Sequence, residues 1–280
     1  MNPSRLRYWN LFGGLLTAFT LVFALLWAFP IYWAIATSLK PEGDVVEAIV
    51  QLIPRTTTLS SYVYVFVHSS LATWYLNSLI TSVAVTAIVV FLGAACGYAI
   101  SQLEFTGRKL LYGVIIASFM VPIQALIVNH FVLISQFGLI NTLTGVILPQ
   151  LISPVVVIVY KRFFDAIPKD FREAAVLDGA GDVKIFTRIY LPMNWGITTA
   201  LAIITFISAW DNFLWPFLAI SAEDRMNVTV GITQVHEAFG IAYARNMSSA
   251  VLAALPVAIV YLIFQRRVTQ AIALSAGIKG

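Results

Sequence analysis

The chain has 280 residues, of which 60% are hydrophobic and only 11% are charged. Soluble domains carry about 25% charged residues, so the composition disfavours a cytosolic enzyme, a nucleic-acid-binding domain and a disordered chain. The net charge of +4 is too small and too unevenly distributed to form a polyanion-binding surface. A single cysteine, Cys96, excludes an intrachain disulfide and a cysteine-based metal site. The composition therefore indicates an integral membrane protein.

Long uncharged runs predict six transmembrane helices, because a helix needs about 20 apolar residues to cross the hydrocarbon core. The run of residues 110–160 is too long for one span and is interrupted near 135–141, so it predicts two helices. None of the runs alternates apolar and polar residues as transmembrane β-strands do. A single domain of residues 1–280 is expected, with spans at about 11–36, 77–100, 110–133, 143–162, 194–217 and 247–267.

Two sequence features predict details of these spans. Gly93 and Gly97 form a G-x-x-x-G pattern in span two, which is typical of a close contact with another helix. Prolines interrupt spans three, four and five, and kinks are tolerated where neighbouring groups satisfy the freed carbonyls. These prolines are Pro122, Pro149, Pro154 and Pro216.

Lys and Arg predict the orientation. With the N-terminus inside, 13 of the 17 Lys and Arg residues fall in inside segments, which favours cytoplasmic termini by the positive-inside rule. A cleaved signal peptide is the alternative for the N-terminus, but its apolar region would have about 7–15 residues. The run that starts at Leu11 is nearly twice as long and carries Trp27, Tyr32 and Trp33 near its far end. An uncleaved first span is therefore expected.

The inside loop of residues 163–193 has a pattern that predicts two short helices joined by a tight turn. Pro168 suits the first turn of a helix, Gly179 and Gly181 suit its end, and Asp182 can cap a second helix. One face of the first helix would carry Phe171, Ala174, Ala175 and Asp178. Its small side chains would let another surface approach closely.

This loop resembles the EAA loop of binding-protein-dependent ABC importer permeases. The matching pattern is Glu173-Ala174-Ala175, then three residues, Gly179, nine residues, Ile189, one residue, and Leu191-Pro192. The chain looks most similar to carbohydrate-type permeases, such as those for maltose and glycerol phosphate. It shares with them Asn77-Ser78, the segment 138–142 and the tract 210–216. One departure is that Asp211 follows Trp210 where those permeases commonly have Asn.

The resemblance implies a fold and a set of partners. The fold is an all-α membrane protein of the type I ABC importer permease class, in the prokaryotic cytoplasmic membrane. The partners are a second, homologous permease, two copies of an ABC ATPase, an extracytoplasmic solute-binding protein and a carbohydrate that crosses by alternating access. The EAA loop would enter a cleft of the ATPase through Glu173, Ala174, Ala175, Asp178, Gly179 and Ala180.

The chain itself is not expected to be an enzyme or to bind a cofactor or metal. None of its 16 glycines is followed by Lys, so the P-loop pattern is absent and ATP and Mg would be bound by the partner ATPase. No H-E-x-x-H motif occurs, and His68, His130 and His236 are too widely spread to form a metal site. A membrane-embedded enzyme is therefore disfavoured.

Several polar and aromatic residues are candidates for a solute path: Trp210, Asp211, Asn212, Trp215, Asn129 and Gln124. Asp211 is the only acid well inside a predicted span, and such acids tend to face a bundle interior or a water-filled cavity. A carboxylate beside a Trp ring would suit a polyhydroxylated ligand. Span five could instead end near Trp210 and leave Asp211 at the interface, while Asn129 and Gln124 could bond another helix.

Two alternative functions stay open at this point. One is an ABC importer permease for a solute other than a sugar, such as a peptide, polyamine or anion. The other is an ion-coupled secondary transporter, which would need intramembrane coupling acids and usually internal repeats. The sequence has one such acid and no evident repeat.

Overall fold

The structure is a computed structural model, and it describes residues 11–46, 51–235 and 242–275. Within these ranges it contains helices and no β-strand, in agreement with the predicted all-α class. The α-helices are α1 (Leu11–Ser38), α2 (Glu42–Val45), α3 (Ser60–His68), α4 (Leu71–Gln102), α5 (Arg108–Phe119), α6 (Ile127–Gln136), α7 (Leu143–Ile147), α8 (Pro154–Asp165), α9 (Asp170–Leu177), α10 (Asp182–Ile185), α11 (Leu191–Met193), α12 (Trp195–Trp210), α13 (Leu214–Ala219), α14 (Val228–Gly231) and α15 (Tyr243–Ser275).

Short helical turns of other types connect these helices. A π-helical turn spans Phe186–Tyr190. The 3-10 turns are Ile123–Leu126, Leu148–Gln150, Glu223–Arg225 and Ile232–Gln234. Some residues used above to predict orientation or to exclude a metal site lie outside the described residues: Arg5, Arg7, His236 and Lys279.

Three of the described helices are long and apolar enough to cross a membrane: α1, α4 and α15. Three bent pairs bring the number to six if each pair is one span. The bends are 94° between Arg108–Phe119 and Ile123–Gln136, 48° between Leu143–Gln150 and Pro154–Asp165, and 82° between Asp182–Met193 and Trp195–Trp210. Pro122 lies in the first break, and Pro154 directly follows the second. Proline interrupts a helix because it lacks the N–H that would continue the helical hydrogen bonds.

The chain folds into two compact units. The first unit contains residues 1–69 and 235–253. In it, the Glu42 carboxylate accepts the N–H of Ala244 in the first turn of α15, and the Arg245 guanidinium lies 3.6 Å from the centre of the Tyr64 ring. The Ser248 hydroxyl donates to the carbonyl of Ser38, at the end of α1.

The second unit contains residues 70–234 and 254–280, and α4 is its central helix. Helices α8 and α12 both pack against α4. At Gly93, an added Cβ would lie 2.5 Å from Val156 Cγ1, and at Gly97 it would lie 2.7 Å from Tyr160 Cβ. The close helix contact predicted from G-x-x-x-G is therefore confirmed, and α8 is the partner helix.

An aromatic cluster lies beyond this contact. Tyr98 is 5.2 Å from both Phe186 and Tyr190, and Phe164 packs edge-on against Tyr190 at 5.6 Å, measured between ring centroids. All four rings are buried, together with the stacked ring of Tyr160. Edge-to-face aromatic pairs contribute about 0.5–1.5 kcal/mol beyond the burial of their area. The cluster thus holds the π-helical turn against α4 and α8.

The opposite end of α4 is bonded to the segment 223–228. Trp74 Nε1 donates to the carbonyl of Glu223 at 2.9 Å, and Asn77 Nδ2 donates to the carbonyls of Asp224 and Met226. The Ser78 hydroxyl accepts the N–H of Val228. These bonds satisfy backbone groups of the segment 223–228, because polar backbone groups that are buried without a partner are costly.

We expect Gly97→Leu to destabilise the protein, because the new side chain must displace Tyr160 or the backbone of Lys161. Overpacking of this kind costs about 1–3 kcal/mol. The control is Gly113→Leu in α5, where an added Cβ meets nothing within 4 Å. Thermal unfolding in detergent should show a lower melting temperature for Gly97→Leu alone. Equal melting temperatures for the two variants would contradict the contact.

Candidate functional site

The segment that resembles the EAA loop forms two short helices, α9 and α10, as its pattern predicts. Gly179 has φ +76°, the left-handed conformation that favours glycine. Its N–H donates to the carbonyl of Val176, and the N–H of Ala180 donates to the carbonyl of Ala175. These two bonds are the Schellman arrangement that ends many helices. The predicted tight turn at Gly179 is thus confirmed.

The start of α10 differs from the expectation. Gly181 occupies the N-cap position, with φ −75°, and Asp182 is the first helical residue rather than the cap. Asp182 instead forms an ion pair with Arg172, at 3.0 Å between Nη2 and Oδ1. The hydrogen bond to Asp182 raises the pKa of the Arg172 guanidinium above its usual value. This ion pair closes the turn between α9 and α10.

The two faces of this loop have different surroundings. Ala175 is buried and Ala180 is half-buried, and both pack in the hydrophobic core. Four of the predicted coupling residues are exposed: Glu173, Ala174, Asp178 and Gly179. Apolar side chains are also exposed on this loop, most of all Leu177 and Val183, of which 88% and 78% are accessible. An added Cβ at Gly179 would meet nothing within 4 Å, so this outer face is open.

A chain of hydrogen bonds connects the segment after α10 to the ends of α4 and α8. The Tyr190 hydroxyl donates to Gln102 Oε1 at 2.8 Å, and Gln102 Nε2 donates to Ser101 Oγ at 2.8 Å. Ser101 Oγ donates to Asp165 Oδ1 at 2.6 Å, and Lys161 pairs with the other carboxylate oxygen. Both the aromatic cluster and these bonds therefore position the loop relative to α4.

The candidate solute-path residues are only partly brought together. Gln124, Asn212 and Trp215 line one cavity of about 110 Å³, which His130 and Gln150 also line. Trp215 Nε1 donates to the carbonyl of Gly145 at 3.1 Å. The Trp215 ring packs edge-on against His130, with centroids 6.0 Å apart.

The other three candidates lie elsewhere in the second unit. Trp210 is buried and packs against the rings of Tyr75 and Phe206. Asp211 is exposed at the C-terminal end of α12, where its backbone N–H continues the helix to Ile207. Asn129 is exposed, and neither it nor Asp211 lines the small cavity.

Gln150 is a site residue that the sequence reasoning missed. Its side-chain oxygen accepts a 2.8 Å hydrogen bond from Asn212 Nδ2. The bonded pair lines both the small cavity and a larger one of about 630 Å³. The sequence feature that could have indicated Gln150 is a long amide side chain directly after Pro149, within an apolar span. Nothing in the sequence indicates that Gln150 pairs with Asn212, which lies 62 residues away.

The described residues contain no group of three His, Cys, Asp or Glu side chains that could hold a metal ion. The polar atoms around the two cavities are instead amide, hydroxyl and imidazole groups, such as Gln124, Ser208 and His130. Such groups can exchange hydrogen bonds with a neutral polar solute.

Three similar proteins cover nearly the same length of chain. The arabinooligosaccharides transport system permease protein AraQ of Bacillus subtilis is 30% identical over 268 residues, which are 95% of each chain. The diacetylchitobiose uptake system permease protein NgcG of Streptomyces coelicolor is 31% identical over 92% of this chain and 86% of its own. The trehalose transport system permease protein SugB of Mycobacterium tuberculosis is 31% identical over the full length of both.

Solved structures show the same fold. The crystal structure of a bacterial ABC transporter involved in the import of the acidic polysaccharide alginate aligns with a TM-score of 0.82 at 22% identity, over 95% of this chain and 99% of that one. A second crystal structure is of the bacterial alginate ABC transporter in complex with a periplasmic protein that has an alginate pentasaccharide bound. It aligns with a TM-score of 0.65 at 17% identity, over 93% and 95% of the two chains.

The family assignment rests on residues 89–273, which match the family described as binding-protein-dependent transport system inner membrane component. This match covers more than half of the chain and includes the loop that carries Glu173 and Gly179. The chain belongs to this family, and it is the multi-pass permease subunit of an ABC transporter that the sequence predicts.

Proposed function

We propose that the chain is one transmembrane subunit of an ATP-driven importer for a carbohydrate, a polyol or a sugar phosphate. The observation that carries this proposal is the similarity, over almost the whole chain, to permeases named for arabinooligosaccharides, diacetylchitobiose and trehalose. Residues 1–280 would form a single permease domain with six spans and both termini in the cytoplasm. The uneven distribution of Lys and Arg supports this orientation.

The transporter would contain four kinds of partner molecule. They are a second, homologous permease, two copies of an ABC ATPase that binds ATP and Mg, an extracytoplasmic solute-binding protein and the solute. The lack of a P-loop in this chain supports a separate ATPase. A structural neighbour that carries a periplasmic protein with a bound oligosaccharide supports the binding protein.

The loop containing α9 and α10 would couple the permease to the ATPase. Its exposed face combines small residues, the carboxylates of Glu173 and Asp178, and apolar side chains, which suits insertion into a cleft. Its inner face is held to α4 and α8 by the aromatic cluster and by Tyr190. A displacement of the loop would therefore move α4. Because the far end of α4 is bonded to the segment 223–228, the same helix would transmit that movement across the membrane.

The solute path would run past the two cavities beside Asn212 and Gln150. Gln124, Trp215 and Asn129 would line it near span three, and Trp210 and Asp211 would lie at the end of span five. The amide pair offers donors and acceptors, and the Asp211 carboxylate accepts hydroxyl hydrogen bonds. The neutral amides of Gln150 and Asn212 suit a polyhydroxylated solute better than an ion.

The function is tested by purifying the tagged chain from its host and reconstituting the complex in liposomes. An ATPase, a second permease and a binding protein should co-purify. Uptake of arabino-oligosaccharide, diacetylchitobiose and trehalose should then be measured against a peptide and a polyamine. ATP-dependent uptake of a peptide or polyamine alone would contradict the carbohydrate proposal.

We expect Glu173→Ala to insert normally but to reduce solute-stimulated ATP hydrolysis. A hydrogen bond between charged groups in a partly desolvated cleft contributes about 1.5–3 kcal/mol, so the loss should be about tenfold or more. The control is Asp170→Ala, which removes another exposed acid from the start of α9 that is not among the predicted coupling residues. An equal effect of both variants on ATP hydrolysis would count against a specific role for Glu173.

Gly179→Asp should reduce solute-stimulated ATP hydrolysis more than Glu173→Ala does, and this variant should lose the ATPase during purification. The substitution forces an L residue to φ +76°, at a cost of about 1 kcal/mol or more, and adds bulk and charge on the docking face. Gly181→Asp is the matched control, because Gly181 has φ −75° and is equally open. It should retain more ATPase than Gly179→Asp. Full uptake and a stoichiometric ATPase in Gly179→Asp would rule out this loop as the coupling element.

Asp211→Ala should abolish uptake while the complex still assembles and hydrolyses ATP. Asp211→Asn should be milder, because it keeps one acceptor and a similar shape. The side chain is exposed, so neither change should lower the melting temperature. Uptake rates and thermal stability of both variants are compared with those of the wild type. Uptake by Asp211→Ala at the wild-type rate would remove Asp211 from the path.

A further inference from the structure

A third cavity lies where the C-terminal end of α4, the first turns of α5 and the last turns of α8 meet. Its volume is about 810 Å³, and it shares no lining residue with the two cavities beside Gln150. Three cations and one acid line it, together with apolar and aromatic side chains. The lining residues are Ile100, Glu104, Phe105, Gly107, Arg108, Lys109, Leu110, Tyr112 and Lys161.

The three cations are held in different ways. The Arg108 guanidinium donates to the carbonyls of Leu103 and Ser101, at 3.1 and 3.0 Å, so its position is fixed by the backbone. Lys161 pairs with Asp165 and lies 4.8 Å from the centre of the Tyr112 ring. Lys109 is exposed and has no ion pair within the described part of the chain. Three cations face one acid, Glu104, so the lining carries a net positive charge.

The start of α5 adds to this positive field. Arg108 and Lys109 occupy its first turn, which contains no acid and is not capped by a side chain. Cations are disfavoured at this end of a helix, because the helix dipole is positive there. The positive-inside rule accounts for cations on this side of the membrane, but not for their convergence on one cavity. An anion in the cavity would offset both sources of positive charge.

An apolar surface continues from the cavity along α5. Leu110 lines the cavity and is 74% exposed, and Val114, one turn further along the same face, is also exposed. A small soluble anion would leave this surface unused. An anion that carries acyl chains would place its phosphate among the cations and its chains along Leu110 and Val114.

We propose that this cavity binds the phosphate headgroup of an anionic phospholipid from the inner leaflet. The leaflet follows from the proposed orientation of the chain, which places the end of α4 and the start of α5 at the cytoplasmic surface. Basic cavities between helices on that side suit such headgroups. Lys109 and Lys161 bind the phosphate electrostatically, and Arg108 donates its remaining N–H groups.

The site is connected to the coupling loop through Lys161. This residue bonds Asp165, which is linked through Ser101 and Gln102 to Tyr190. A headgroup at Lys161 restricts the ends of α4 and α8, on which the loop is mounted. Solute-stimulated ATP hydrolysis should accordingly be higher in membranes that contain the anionic lipid than in zwitterionic ones.

The test measures lipid binding to the delipidated, assembled transporter by native mass spectrometry. Phosphatidylglycerol is titrated against phosphatidylcholine with the same acyl chains. Lys109→Gln should weaken phosphatidylglycerol binding at this site about fivefold, the contribution of one cation near an anionic membrane surface. Glu104→Gln should strengthen it by a similar factor. Arg162→Gln is the control, because Arg162 is exposed on α8 beside Lys161 but does not line the cavity.

Three results would overturn the proposal. The first is equal binding of the two lipids, and the second is an equal loss in Lys109→Gln and Arg162→Gln. The third is displacement of phosphatidylglycerol by millimolar inorganic phosphate or glycerol phosphate, which would indicate a site for a soluble anion. The measurement requires neither solute nor ATP. Failure of the carbohydrate assignment would therefore leave these lipid-binding results unchanged.

Discussion

The close approach of α4 and α8 at Gly93 and Gly97 is the contact on which the rest of the second unit depends. It leaves no room for a Cβ at either glycine, so the two backbones meet directly. That approach brings Tyr98 to Phe164 and allows the aromatic cluster to form. Association of helices in lipid relies on such packing, because burial of apolar surface gains little when the surrounding acyl chains are equally apolar.

Helix α4 combines a membrane-spanning role with polar connections at both ends. One end is bonded to the backbone of the segment 223–228, and the other end reaches the coupling loop through Gln102. Both connections pair partly buried polar groups at the ends of an apolar helix, where a buried group left unpaired would be costly. The same bonds give an importer a mechanical link, because movement at one end of a rigid helix is transmitted to the other.

The breaks in the bent helices have a second consequence. The 94° bend before Ile123 and the 48° bend before Pro154 place Gln124 and Gln150 at interrupted helices, beside the 110 Å³ cavity. A non-helical backbone at membrane depth is tolerated where it is buried in protein or lines a cavity. The prolines that interrupt the spans therefore also create the polar sites proposed for the solute.

The sequence alone determined the properties that arise from local chemistry. Length and hydropathy specify the apolar helices, and the positive φ of Gly179 follows from a glycine placed after a short amphipathic helix. The family match over residues 89–273 agrees with that loop pattern. Only the tertiary structure decided which distant groups meet: Asn212 pairs with Gln150, and Asp182 pairs with Arg172 instead of capping α10. It also decided that Asn129 does not line the 110 Å³ cavity. The physical reason is that these pairings depend on helix bends and side-chain packing, which local hydropathy and turn chemistry do not specify.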